Sequence, residues 1–420
     1  MADFRGSVWV ASLRTARHSA AGLTAVFCLC FLAACSFIPR DSFTEEEQFA
    51  ARIPGFPIVR YWADGKPSEW RPFTDNANLE GVIKQTGHFD VLAISGGGYD
   101  GAYGAGVING WTATGTRPSF TIVTGVSAGA LIAPLAFLGP DYDKELTEAF
   151  TGGLTEILGG PGVLALLGTA DIRKESLTNI ISRFVNRRLL QAIAAEHAKG
   201  RRLLVVTTNL DAQRAVVWDM GAIAASGNPD ALQLFIDVLA ASASIPGVFA
   251  PSMIEAEAKN GHRFREMHVD GGATTQIFIL PDAALASSLR VIQTHGAKSH
   301  VWALVNNRLT PEFEVVEGGV LPIAARSFST LIKSDARGTL LATRNYVRGD
   351  AFNLTYIDHK FAEELVARYR SSLTPGFNTE YMRAVYEYGY RKALSGRLWE
   401  KQVPLPGPPD PRLRTMAVSR

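Results

Sequence analysis

Phe120-Thr121-Ile122-Val123-Thr124-Gly125-Val126-Ser127-Ala128-Gly129 is the stretch on which the fold turns. An uncharged, β-branched run ends in Gly-x-Ser-x-Gly, and an apolar helical segment follows to about Leu138. A buried strand that breaks into a helix through so sharp a turn leaves no room for side chains beside the serine, hence glycine on either side. The hydroxyl of Ser127 then projects above a sheet at a helix N-terminus, where peptide dipoles favour developing negative charge. As a bare pattern Gly-x-Ser-x-Gly says little. Between this strand and this helix it points to a nucleophile.

Upstream, Phe89-Asp90-Val91-Leu92-Ala93-Ile94-Ser95 is a second buried strand that runs into Gly96-Gly97-Gly98, with small apolar residues over 99–111 predicting a closely packed helix. Strand, glycine turn and helix, twice over, start a parallel α/β sheet. Downstream, 202–208 and 301–305 read as further buried strands, and helical periodicity covers 176–198, 230–243, 323–346 and 377–395. The segment 152–168, leucines broken by Gly152, Gly153, Gly159, Gly160 and Gly162, reads as a mobile apolar insertion. From 36 to 87 the chain is polar and interrupted by Pro39, Pro54, Pro57, Pro67 and Pro72, a tether and irregular lead-in with little core of its own.

Gly96, Gly97 and Gly98 lie at a strand end neighbouring that of Ser127, and successive glycines let backbone N–H groups converge on an oxyanion. A dinucleotide fingerprint, Gly96-x-Gly98-x-x-Gly101, competes for the same residues. It wants an acid near the end of the second strand, and 112–124 holds neither Asp nor Glu. For a base, the histidines at 88, 197, 262, 268, 295, 300 and 359 sit in no triad-like loop. Val269-Asp270-Gly271-Gly272 offers instead a carboxylate that takes the serine proton directly once desolvated. Alone, Asp-Gly-Gly is an ordinary turn; its company gives it weight.

Ser95-Gly96-Gly97-Gly98-Tyr99-Asp100-Gly101, Gly125-Val126-Ser127-Ala128-Gly129, Ala241-Ser242-Ala243-Ser244-Ile245-Pro246 and Asp270-Gly271-Gly272 stand in the order seen in patatin-like phospholipases. The chain resembles that family over about 89–280, and to 306 if the next strands are included. The resemblance implies a three-layer α/β/α fold with a mostly parallel central sheet, flanking helices and a C-terminal helical extension. It also implies hydrolysis of lipid or phospholipid esters by a Ser127–Asp270 dyad with a Gly96, Gly97 and Gly98 oxyanion loop, without histidine, metal or cofactor. Two departures stand out. Asp100 occupies a place where many members carry Arg, and Ala273-Thr274-Thr275-Gln276 stands where they carry Asn. Losing the cation bears on phospholipid preference more than on ester hydrolysis; Asp100 is otherwise a helix N-terminal acid favourable to the dipole. Two other classes stay open: an α/β-hydrolase esterase with a Ser–His–Asp triad using His295 or His359, and a non-catalytic surface lipoprotein.

Composition sets the outer limits. Of 420 residues 47% are hydrophobic and 20% charged, with net charge +2, which excludes a disordered chain and the basic face of a nucleic-acid binder. Arg5, Arg14 and Arg17 precede an uncharged stretch from Ser19 to Ala34, a signal-peptide pattern. It ends Leu32-Ala33-Ala34-Cys35, which resembles a bacterial lipobox and implies cleavage before Cys35, a lipid anchor on its sulfur and residence at the cell envelope, with Ser36 pointing to the outer membrane. Of 42 basic and 40 acidic residues, three Arg and one Asp lie in 1–34, leaving 39 of each; Cys28 and Cys30 leave too, so Cys35 cannot form an internal disulfide. The expected organisation is therefore signal peptide 1–34, tether and lead-in 35–87, catalytic domain 88–306 and mainly helical extension 307–420.

Overall fold

A computed structural model of the chain describes residues 39–404 apart from 77–78, 154–169, 247, 282–295, 313–314, 348–350, 362–363 and 366–378. The signal peptide, Cys35, most of the 152–168 insertion and His295 lie outside the described residues.

The strands are β1 (Arg60–Trp62), β2 (His88–Ile94), β3 (Ile122–Val126), β4 (Arg202–Asn209), β5 (Arg214–Asp219), β6 (Ser252–Glu257), β7 (Arg263–Asp270), β8 (Lys298–Val305) and β9 (Phe352–Tyr356). They form one sheet in the order β1-β5-β4-β3-β2-β8-β9, with β7 joined to β4 and β6 to β7. β2, β3, β4, β8 and β9 run parallel, and β5, β7 and β6 enter antiparallel to their neighbours.

Every residue of β3 and β4 is buried, because helices cover both faces of the sheet. Along β2, Leu92 and Ile94 face one layer while Val91 and Ala93 face the other, as the pleat requires. The first layer holds α4 (Gly101–Ala113), α5 (Ala128–Leu138), α7 (Ala170–Phe184), α8 (Arg187–Ala198), α10 (Ala231–Ser242) and α12 (Thr379–Leu394). α1 (Glu45–Ala50), α6 (Asp143–Glu148) and α9 (Met220–Ala225) are single turns or little more. The second layer is built from α2 (Arg71–Asn76), α3 (Leu79–Thr86) and α11 (Val320–Tyr346). This is the three-layer α/β/α fold.

Two expectations need correction. The lead-in has a core: Trp70, Phe73 and Ile83 are fully buried against Val91 and Ala93, and β1 pairs with β5. Its prolines punctuate short elements rather than preventing them, and side chains of that size are worth roughly 1.5–3 kcal/mol each when buried. The periodicity over 176–198 is two helices, broken at Val185-Asn186, where the Asn186 side chain accepts the Leu189 amide and caps α8. The C-terminal extension, expected to be mainly helical, also carries β9, which pairs with β8 and widens the sheet.

The extension is fastened through backbone contact. α12 lies so close to α4 that a Cβ on Gly106 would overlap the Tyr386 carbonyl, one on Gly110 would stand 2.5 Å from the Tyr390 oxygen, and one on Gly389 would overlap the Tyr103 oxygen. The small residues read over 99–111 as helix-on-strand packing serve helix-on-helix packing as well.

Candidate active site

β3 stops at Val126, which pairs with Val206 of β4. β4 continues to Asn209, and the space beside its overhang is taken by the end of β7, with Thr207 opposite Asp270. β3 and β7 therefore approach head to head along one strand, and their last residues meet. The Ser127 hydroxyl donates to Asp270 Oδ2 at 2.5 Å. Both side chains are buried.

Ser127 sits at φ 55° and ψ −124°, a backbone conformation that L-residues rarely adopt. Its surroundings hold it there. A Cβ on Gly125 would lie 2.5 Å from the Gly129 carbonyl, and one on Gly129 would lie 2.6 Å from that of Ser95. The Ser127 amide donates to Ser242 Oγ at 3.0 Å, and that hydroxyl donates in turn to the Val206 carbonyl at 2.7 Å. Ser242, the serine of the quoted Ala241-Ser242 segment, thus ties the strained turn to β4. Ser242→Ala leaves a buried amide without an acceptor, so we expect about 1–3 kcal/mol of destabilisation in urea melts together with a lower kcat.

Asp270 is held from several sides. Its Oδ1 accepts the Gly272 amide at 2.7 Å, its own amide donates to the Ser244 carbonyl at 3.0 Å, and Thr208 Oγ1 donates to its carbonyl at 2.9 Å. Burial pushes its pKa up to about 7, against the lowering effect of the Ser127 hydroxyl and the Gly272 amide. A carboxylate so poised takes up protons near neutrality, as a general base must.

The glycine loop needs one correction. The Gly96 amide donates to the Gln276 carbonyl at 3.0 Å, and Gly96 is not in the cleft wall. Its N–H is spent on structure. Gly97 and Gly98 line the cleft beside Ser127 and Asp270, and their amides meet no acceptor among the described residues. Asn306 braces this loop by donating to Ser95 from both its backbone and its side chain.

The cleft encloses about 440 Å³. Its far wall comes from outside the quoted motifs: Leu309, then Phe328, Ile332 and Ala336 of α11, with Arg308 and Lys333 between them. Both cations reach Glu312, Arg308 at 2.5 Å. Sequence reasoning found α11 as a helix but not as a roof, because neither its spacing nor its composition names the surface it covers. Gln276, from the departing segment, also lines the cleft, and its backbone N–H donates to Asp335 Oδ2 of α11 at 2.8 Å.

Asp100 stands at the N-cap of α4 but makes no side-chain bond to the helix amides; instead it accepts from Tyr381 Oη of α12 at 2.6 Å. Burial raises its pKa to about 6. Among the histidines, His268 is the one close in sequence to the site, and its ring bonds Thr207 and Glu266 rather than Ser127. His359 is exposed.

Residues 92–281 match the family model described as patatin-like phospholipase. The chain carries a patatin-like phospholipase domain. That match spans β2 to just beyond the end of β7 and takes in both residues that meet in the cleft. Among solved structures, the chain is similar to VipD from Legionella pneumophila, at 14% identity and a TM-score of 0.35, over 73% of this chain and 66% of that one. A comparison with curated proteins gives no match. A patatin-like phospholipase domain is of the lipid acyl hydrolase class, which is where the reading of the residues also leads.

Proposed function

We propose that this chain hydrolyses carboxylic esters of lipids, with Ser127 as nucleophile and Asp270 as its base. The observation that carries the reading is the buried Ser127–Asp270 hydrogen bond at the wall of the cleft. Asp270 takes the hydroxyl proton as Oγ adds to the ester carbonyl, and the amides of Gly97 and Gly98 hold the oxyanion. Collapse breaks the ester C–O bond, and the alcohol leaves with the proton from Asp270. Water then gives a proton to Asp270 and adds to the acyl-serine. The second collapse frees the carboxylic acid and returns the proton to Ser127. Carboxylate is a weaker base than imidazole, so positioning and the amides supply much of the acceleration.

This assigns Asp270 a base role that needs it ionised. We therefore expect kcat/KM on a nitrophenyl ester to rise with pH and level off above about 7, following the Asp270 carboxyl. A profile flat from about pH 5 to 8 would remove the base.

For the substrate, the acyl chain fits the apolar wall of Leu309, Phe328, Ile332 and Ala336, and the alcohol portion then faces Arg308 and Lys333. These two cations stand in for the arginine that Asp100 replaces, so we propose phosphate-bearing alcohols, as in phospholipids, as the preferred leaving groups. Lys333→Met should raise KM for a phosphatidylglycerol by about tenfold or more, on the order of one charge-assisted hydrogen bond, with little change on a neutral ester. Equal losses on both would dismiss the headgroup role. We further propose that Cys35 carries the lipid anchor that keeps the domain at the cell envelope; mass spectrometry of the mature N-terminus tests that directly.

A further inference from the structure

α11 has two faces, and the reaction proposed above uses only one. Phe328, Ile332 and Ala336 look into the cleft. On the opposite side, Val320, Ala324, Ser327, Leu331, Ser334, Gly338 and Leu341 follow one another at alternating steps of four and three residues, which puts them on one stripe. Each is exposed, Val320 at 84% and Leu331 at 68%. Ile323, on the same side, is 50% exposed, and Val315 just before the helix is 82% exposed. No charge interrupts the stripe over its length of about 30 Å.

The basic residues of α11 form a neighbouring row. Arg326, Lys333, Arg337 and Arg344 are separated by seven, four and seven residues, against a single acid, Asp335. Lys333 is paired with Glu312, whereas Arg337 donates to the carbonyls of Leu309 and Pro404, and Arg344 to that of Lys401, partners that carry no net charge. An uncharged exposed face beside a basic row is the pattern of a helix that lies in the plane of an anionic lipid surface. Among the described residues no helix is long and apolar enough to cross a membrane, so α11 is suited to rest on one rather than span it.

We infer that the outer face of α11 is a docking surface for an anionic lipid bilayer, and that it sets the mouth of the cleft against that bilayer. The same helix then roofs the site with one face and meets the lipid with the other, so an ester leaving the bilayer enters beside Phe328 and Ile332. The inference rests on the proposed lipid substrate for its purpose, but the surface can be tested without catalysis.

The experiment uses the full chain with Cys28, Cys30 and Cys35 replaced by serine and an environment-sensitive fluorophore on Leu331→Cys. Phosphatidylglycerol vesicles should shift its emission to the blue, phosphatidylcholine vesicles should do so less, and the same label on Lys259→Cys, in the exposed turn between β6 and β7, should not respond. In parallel, Val320→Glu with Leu331→Glu in the unlabelled chain should lower hydrolysis of phosphatidylglycerol vesicles by about tenfold or more, since two apolar contacts with lipid are lost. Hydrolysis of a soluble short-chain ester should stay unchanged. An absent shift at 331 overturns the inference. So does a shift that appears on concentrating the protein without vesicles, which would assign the stripe to a second copy of the chain. A vesicle-dependent shift in a chain that cleaves no ester would instead leave the surface standing and reject the hydrolase.

Discussion

Ser127→Ala is expected to lower ester hydrolysis by a factor on the order of 10⁴ or more, and Asp270→Asn to do nearly the same. The two act through one hydrogen bond, so the double variant should be scarcely worse than either alone. A fluorophosphonate probe should label the parent and leave Ser127→Ala unlabelled. The two variants part company in stability. Asp270 has a folded pKa of about 7 against an ordinary 3.8, so between those values the folded chain holds a proton that the unfolded chain has released. Stability from this group therefore falls as pH rises through that window, and the cost is fully present above about 7. Asp270→Asn removes the ionisation, so its melting temperature should gain on the parent at pH 8 relative to pH 4, even as activity disappears. Full activity in Asp270→Asn would end the dyad reading; loss of activity only when a histidine is replaced would revive a triad.

Gly106→Ala is the second large effect. The added methyl meets the Tyr386 carbonyl, which is backbone and cannot rotate aside, so α12 must move off α4. Overpacking of ordinary cores costs about 1–3 kcal/mol, and we expect the upper end of that range or beyond here. α4 begins immediately after Gly98 and Asp100, and Asp100 accepts from Tyr381 of α12, so the separation should reach the glycine loop and reduce kcat as well. Gly338→Ala is the control: that glycine is exposed within α11, nothing lies near its missing Cβ, and a helix former there should be neutral or stabilising by up to about 1 kcal/mol. Chemical-denaturation midpoints of the two variants decide it; an unchanged midpoint for Gly106→Ala would mean that the helices are not pressed together.

What could be read in the sequence was what is local. Buried parallel strands carry unbroken apolar runs, so β2, β3, β4 and β8 were visible. The turn at Ser127 announced itself because glycine on both sides has a steric cause. β6 and β7 are faint: they pair with each other locally, but charged residues alternate along them and only β7 reaches the rest of the sheet, through the distant β4. β1 is three residues long and only makes sense once β5 is beside it. At the site, the order of the motifs is enough to expect Ser127 and Asp270 to meet, but not to say what brings them together, which is how far β4 outruns β3. A glycine repeat does not say which amide is already committed, so the sequence alone places Gly96 with Gly97 and Gly98 as an oxyanion donor. Arg308, Lys333 and the roof of α11 were invisible for the same reason, since they belong to no motif and act only through where the chain returns.

The overhang of β4 has a consequence for how such a site tolerates change. Ser127 and Asp270 are 143 residues apart, yet their spacing is fixed by the pairing of two strand tips with a shared third, not by the intervening length. Loops between them can be shortened, lengthened or exchanged for whole modules without retuning the chemistry. A single residue gained or lost inside β4 is different in kind: it would turn alternate side chains over and carry the acid to the wrong side of the sheet. The places where this enzyme scaffold can be rebuilt for new lipids, and the few where it cannot, are divided by that one strand.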